Sequence, residues 1–216
     1  MRSANTFSVV AFQMAQERPV PVAHHLHAPI QLVEAARMGI PAFSIVHRPG
    51  DAADSVTIRS PHVSLEQALE AYARFYECLV PYRDRCLVVP FEDVTSDLGA
   101  VIERLNQHYG TSFTPFQHTD ENVRAVYALI DERARRPAWA TAIHAYVSGH
   151  ITMAELEAAR NGHRDDLGSV PEHRVARPSG ERAARAEAVL ERYRSADLAR
   201  LRERAETAYR AFAEGG

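Results

Sequence analysis

Three short stretches of the chain carry residue types that could do chemistry. The first is Arg2-Ser3-Ala4-Asn5-Thr6, which sets a guanidinium, two hydroxyls and small residues where a helix begins. A helix N-terminus presents unpaired N–H groups and the positive end of its dipole, so an anion placed there is stabilised by both. The same residues also suit an ordinary tail with Asn5 as the helix cap, and the full nucleoside-triphosphatase pattern Gly-x-x-x-x-Gly-Lys-Ser/Thr is absent. The second stretch, His24-His25-Leu26-His27-Ala28-Pro29, reads as extended, so His25 and His27 share one face and His24 takes the other. That pattern fits a general base with a tuning neighbour, a His-x-His metal pair or plain structure; no Cys, His or Glu at ligand spacing nearby completes a metal site. In the third, an apolar run ends in His47-Arg48-Pro49-Gly50, and a helix follows that carries Ser55. A strand end, a guanidinium and a hydroxyl can meet there on one anion.

These stretches need elements to hold them. Residues 5–16 read as a helix and 19–27 as an extended segment. A helix stopped by Gly39 follows, then a buried strand in Pro41-Ala42-Phe43-Ser44-Ile45-Val46-His47. A strong helix begins at its cap Ser64, with Leu65, Ala68, Leu69, Tyr72, Phe75 and Tyr76 on one face. Residues 86–94 read as a second strand, followed by a helix capped by Ser96 or Asp97 and ended by Gly110. Short apolar runs alternating with helix-period stretches predict βαβ units and a mainly parallel sheet. Beyond residue 116 the pattern turns helical and polar. Residues 163–181 form a loop rich in Gly, Pro and His, and one long helix is expected from about 181 to 213, its Leu190, Tyr193, Leu201, Ala205, Tyr209 and Phe212 packing on the body of the domain.

With 216 residues the chain suits a single domain, 1–216, with an α/β core over 1–116 and a helical part over 117–216. A formal net charge of −3 supplies no global attraction to nucleic acid or to an anionic membrane, so an anion site must be a local cluster. Every basic residue is Arg. Phosphate contacts must then use the planar guanidinium, and Lys-based Schiff-base chemistry is excluded. Cys78 and Cys86 are too few for a disulfide framework or a zinc site. No apolar run long enough to span a membrane and no leader-like segment is visible, so a cytoplasmic location is expected.

Taken in order and spacing, the three stretches resemble the sulfotransferase family, which uses 3'-phosphoadenosine 5'-phosphosulfate (PAPS) as sulfuryl donor. Arg2-Ser3-Ala4-Asn5-Thr6 matches its Lys/Arg-Ser-Gly-Thr-Thr loop for the 5'-phosphosulfate, and His25-Leu26-His27-Ala28-Pro29 matches the segment carrying the catalytic His. His47-Arg48-Pro49…Ser55 matches the motif that grips the 3'-phosphate, and residues 88–113 look like the family's Tyr-Glu-Asp-Leu segment and following helix. The resemblance covers about residues 2–116 and implies a three-layer, P-loop NTPase-like fold with a mainly parallel sheet and a helix-rich C-terminal half. It implies sulfuryl transfer to a hydroxyl or amine of a small-molecule or glycan acceptor, with no metal. Arg2, Ser3, Ala4, Asn5 and Thr6 would hold the phosphosulfate, and His27 would act as base with His25 as a second contact. His47, Arg48 and Ser55 would take the 3'-phosphate, and Arg177 and Arg182 would contact the cofactor from the loop before the last helix. Four alternatives stay open: a non-catalytic nucleotide-binding member of the same fold, a P-loop small-molecule kinase, a metal-dependent hydrolase built on His24, His25 and His27, and a structural or helical interaction protein.

Three departures from that family carry structural expectations. Aligned on Pro49 and Ser55, the family's 3'-phosphate Arg falls on His47, and Arg48 should face the other way. Ala4 replaces a Gly, which is costly only where φ is positive. The chain also starts without the apolar strand that leads into the family's phosphate loop. Met1 is therefore expected to stand where an upstream Pro occurs in a longer product, and an apolar gap is expected between the two neighbouring strands.

Overall fold

The computed structural model describes residues 4–23, 28–60, 62–135, 146–161 and 180–215. Helices dominate. In chain order the elements are α1 (Asn5–Ala15), α2 (Ile30–Met38), β1 (Phe43–Val46), α3 (Pro49–Arg59), α4 (Leu65–Leu79), β2 (Leu87–Pro90), α5 (Phe91–Ser96), α6 (Leu98–Tyr109), α7 (Asp120–Arg135), α8 (Met153–Asn161), α9 (Gly180–Tyr193) and α10 (Ala199–Ala213), with short 3-10 turns at Val80–Arg85 and Ala196–Leu198.

Local chemistry accounts for the helix boundaries. Ser64 forms a reciprocal cap on α4: its Oγ accepts the Gln67 N–H at 3.2 Å while Gln67 Oε1 accepts the Ser64 N–H at 2.9 Å. Asp97, one of the two residues expected, caps α6 by accepting the Ala100 N–H at 3.1 Å. Gly39 and Gly110 close α2 and α6 in the left-handed conformation, at φ 66° and 64°.

The parallel sheet is two strands wide among the described residues, with Phe43 opposite Leu87 and Val46 opposite Pro90. Alternation then sends the strands' side chains to two cores. Phe43, Ile45, Leu87 and Val89 join Phe7, Val10 and Phe12 of α1, Val101 and Ile102 of α6 and Val126 of α7. On the opposite face, Val46 and Val88 join Ala52 and Ala53 of α3, Leu69, Tyr72 and Tyr76 of α4, and Ala205, Ala208 and Phe212 of α10. Helices therefore cover both faces of the sheet.

Three expectations need correction. The second strand ends at Pro90, and Phe91-Glu92-Asp93-Val94 opens α5 instead. The long terminal helix is two helices, broken at Arg194-Ser195. Arg192 holds that corner through Ser195 Oγ at 2.7 Å and Asp197 at 2.6 Å, and Arg202 donates to the Tyr193 and Ser195 carbonyls at 2.6 and 3.1 Å. Gly180 and Glu181, assigned to the preceding loop, begin α9. The expected stripe does pack on the body: Tyr193, Ala205 and Phe212 are buried in the core that α4 shares.

Candidate functional site at the carboxyl edge of the sheet

Because β1 and β2 are parallel, their carboxyl ends lie side by side, and each strand runs straight into a helix. β1 leads through His47 and Arg48 into α3, whose first residue is Pro49, a good start because its missing N–H would have been unpaired anyway. β2 leads into α5. In open α/β sheets this edge is where ligands bind.

The third element arrives from the other face. The N-terminal residue Phe7 of α1 packs edge-on to Phe116 at 6.2 Å and against His118 at 5.7 Å, and His118 Nδ1 accepts the N–H of Leu98 at the start of α6. The far end of α1 meets Phe113 and Thr114, which sit by the end of α6. There Tyr109 donates to the carbonyls of Ala42 and Arg85, just ahead of the two strands. α1 therefore runs antiparallel to the strands and aims its N-terminus toward their carboxyl edge. The starts of α1 and α3 thus lie toward one edge of the sheet, on opposite faces.

Ala4 stands at the start of α1 with φ 49° and ψ 15°, making it the one non-glycine residue with positive φ among the described residues. Its carbonyl accepts both the N–H and the Oγ of Ser8 at 2.9 Å, which fixes the first turn. Asn5, considered as a cap in the sequence, is the first helical residue, and Asn5 and Thr6 are half-buried in that turn.

His47 and Arg48 point apart, as strand alternation requires. The His47 ring packs edge-on to Phe91 at 4.3 Å, its side chain 16% exposed. Its Nδ1 lies 3.8 Å from Asp51 Oδ2 and is buried with no hydrogen-bond partner among the described residues. Arg48 is exposed and flanks α3, with its carbonyl accepting the Ala52 N–H at 2.9 Å. Ser55 is half-buried in the second turn of α3. Above the start of α3, Gly50 sits under Leu190 and Tyr193 of α9, either of which an added Cβ would meet at 3.4 Å.

Phenol and carboxylate groups that the sequence reading missed gather behind this loop. Tyr72 donates to the His47 carbonyl at 2.7 Å, and Tyr193 donates to Glu206 Oε1 at 2.6 Å. Burial pushes the Tyr209 phenol above its ordinary value; Arg48 opposes that shift, while Glu214, Glu92 and Glu206 add to it. Burial likewise raises Tyr72 and Tyr193, and in Tyr193 the hydrogen bond to Glu206 adds to the effect. A signal was present in the sequence: a helix face that repeats Tyr rather than Leu buries hydroxyls that need partners.

Arg2, Ser3, His25, His27 and Arg177 lie outside the described residues, as does the side chain of Arg182, whose backbone belongs to α9. His24, the third member of the His cluster, lies outside them too. Among the described residues no group of three or more His, Cys, Asp or Glu is placed to hold a metal ion, and no helix is long and apolar enough to cross a membrane. Chemically, the edge combines two helix N-termini with the exposed Arg48, a field that favours anions, tempered by the carboxylates of Asp51 and Glu92. No family model, curated protein or solved structure matches the chain.

Proposed function

We propose that the chain is a cytoplasmic sulfotransferase of P-loop-like, three-layer type, moving a sulfuryl group from PAPS to a hydroxyl or amine of a small-molecule or glycan acceptor. One observation carries this reading: α1 starts from a left-handed residue at the position where the resembling family has its loop glycine, and that start is aimed at the edge where His47, Arg48 and α3 also lie. The residues present fit the donor. His47 Nδ1 is a buried nitrogen with no hydrogen-bond partner among the described residues, at the position of the family's 3'-phosphate contact, and an N–H there would donate to an anion.

When bound, PAPS would supply the activated sulfuryl group, with adenosine 3',5'-bisphosphate as the leaving group. Arg2, Ser3, Asn5 and Thr6 bind the 5'-phosphosulfate at the start of α1 and offset charge that grows on the departing oxygen. His47 and Ser55 would take the 3'-phosphate at the start of α3, and Arg48, on the other side of the loop, would add its charge to the site. His27 would receive the acceptor's proton, with His25 a second contact to the bridging or sulfuryl oxygens. Arg177 and Arg182 would contact the cofactor. Positioning and charge stabilisation do most of the work, as in phosphoryl transfer.

In a second reading the same edge holds a nucleotide without turning it over; Asp51, 3.8 Å from His47 Nδ1, would weaken the grip on a phosphate there. Calorimetric titration with adenosine 3',5'-bisphosphate and with ATP plus Mg²⁺ tests both readings, followed by PAPS turnover. Selective bisphosphate binding with turnover that His27→Ala abolishes, at unchanged PAPS affinity, supports the enzyme. Binding without turnover supports the second reading. Preference for ATP would mark a kinase, and binding of neither would end the proposal.

A further inference from the structure

The loop joining β1 to α3 is gripped from three sides. Phe91 packs on the His47 ring, and Leu190 and Tyr193 cover Gly50. From below comes the hydroxyl of Tyr72, which donates to the His47 carbonyl at 2.7 Å. That carbonyl lies past the paired end of β1 at Val46 and ahead of the helical bonding of α3, which starts with the Arg48 carbonyl. Neither element's own pattern orients the peptide between His47 and Arg48, and the phenol does. Tyr72 is itself held firmly: it is 2% exposed, its ring packs on Tyr76 at 4.8 Å, and Tyr76 packs on Phe212 of α10 at 5.2 Å. The contact therefore ties the loop to the α4–α10 pair.

Resting on the reading above, we propose that Tyr72 is a positioning residue: by holding the His47 carbonyl it sets the direction of the His47 and Arg48 side chains and so the selectivity for a 3'-phosphate. Tyr72 touches no ligand. Burial raises its phenol, so the proton that makes the bond stays in place across the working pH range. Tyr109 provides a matched control, because its hydroxyl also donates to carbonyls beside the same strands, at 3.0 and 2.9 Å, but at the opposite edge.

The test compares the full chain with Tyr72→Phe and Tyr109→Phe. Dissociation constants are measured for adenosine 3',5'-bisphosphate and for adenosine 5'-phosphate, and amide hydrogen exchange is read at residues 50–52 without ligand. Tyr72→Phe should weaken the bisphosphate about tenfold, the size of one lost hydrogen bond, and the 5'-phosphate by less than about twofold. Exchange at 50–52 should quicken by a similar factor, and Tyr109→Phe should change none of these. Equal weakening of both nucleotides would make Tyr72 merely structural, and unchanged exchange would overturn the proposal outright. Were the unmodified chain to bind neither nucleotide, the sulfotransferase reading would fall, while the exchange arm would still decide whether Tyr72 holds the loop. Were Tyr72→Phe not to fold, NMR of the unmodified chain decides: a slowly exchanging Tyr72 hydroxyl proton close to the His47 peptide is expected, and its absence overturns the proposal.

Discussion

The left-handed Ala4 makes a sharp prediction about stability. At φ 49° and ψ 15° its Cβ crowds the backbone, which costs roughly 1–2 kcal/mol for an L-residue other than Gly, Asn or Asp. Replacing it with Gly removes that strain, but the freer unfolded chain gives back about 0.4–1 kcal/mol. Ala4 also packs at the border of the core around α1, so losing one half-buried methyl costs about 0.4 kcal/mol more. The Gly preference at a helix cap adds a few tenths in the other direction, leaving Ala4→Gly about 0.5 kcal/mol more stable. Asn tolerates the left-handed region and caps well, so Ala4→Asn should gain about 1 kcal/mol. A β-branched residue fits that region worst, so Ala4→Val should lose about 1 kcal/mol or more. Urea unfolding followed by circular dichroism reads the series, and the Asn and Val variants should melt about 4–8 °C apart. The order Asn, Gly, Ala, Val is the signature. If Gly falls below Ala by about 1 kcal/mol while Val matches Ala, residue 4 has negative φ, and the glycine-like start of α1 that supports the anion site is wrong.

Gly99 is a second sharp point: a Cβ there would collide with the Phe116 carbonyl oxygen, so Gly99→Ala should cost about 1–3 kcal/mol in urea unfolding, and an unchanged midpoint would refute that contact. Hydrogen bonds from Arg204 hold the Glu70 and Glu77 carboxyls below the usual glutamate value of 4.5. Groups with lowered folded values stabilise the fold above their unfolded values and lose that contribution as pH falls through the folded ones. Stability should therefore drop below about pH 4.5, and Arg204→Met should flatten that acid limb. Burial pushes the Cys86 thiol up to about 11, so iodoacetamide at pH 8 should label exposed Cys78 and reach Cys86 only on unfolding.

Much of the fold could be read because its signals are local. Ser64 with Gln67, Asp97, Gly39 and Gly110 mark helix ends through bonds within a few residues, and the apolar spacing of α4 follows from its own periodicity. The break between α9 and α10 could not be read in the same way. Residues 191–199 contain neither Gly nor Pro, and nothing in their propensities stops a helix. What anchors the corner is partly distant: Arg192 reaches Glu66 on α4 at 2.8 Å, which sets the guanidinium that also holds Ser195 and Asp197, while Arg202 reaches back to the Tyr193 carbonyl. Without the partner helix those guanidinium bonds have no fixed geometry. The second strand was overread for a related reason. Phe91 and Val94 are apolar enough to extend it, but past Pro90 the chain buries Val94 better as the inner face of a short helix.

The same division between local and distant causes runs through the candidate site. Alternation alone separates His47 from Arg48, and the structure puts one ring against Phe91 and leaves the other side chain exposed. The grip on their shared loop depends on which core lies behind it. The face that holds α1, α6 and α7 is filled mainly by Phe, Val, Ile, Leu and Ala, with Tyr127 packed against it, and on that side His118 directs its bond to the Leu98 N–H rather than to the loop. The α4–α10 face contains Tyr72, Tyr76 and Tyr193, whose rings pack like any apolar side chain while Tyr72 and Tyr193 each direct one bond. A hydrogen bond constrains direction where packing constrains only distance. A loop whose two adjacent side chains must face different ways therefore gains more from the tyrosine-bearing core. β1, which ends in that loop, contributes Val46, its last residue, to this core, one residue before His47.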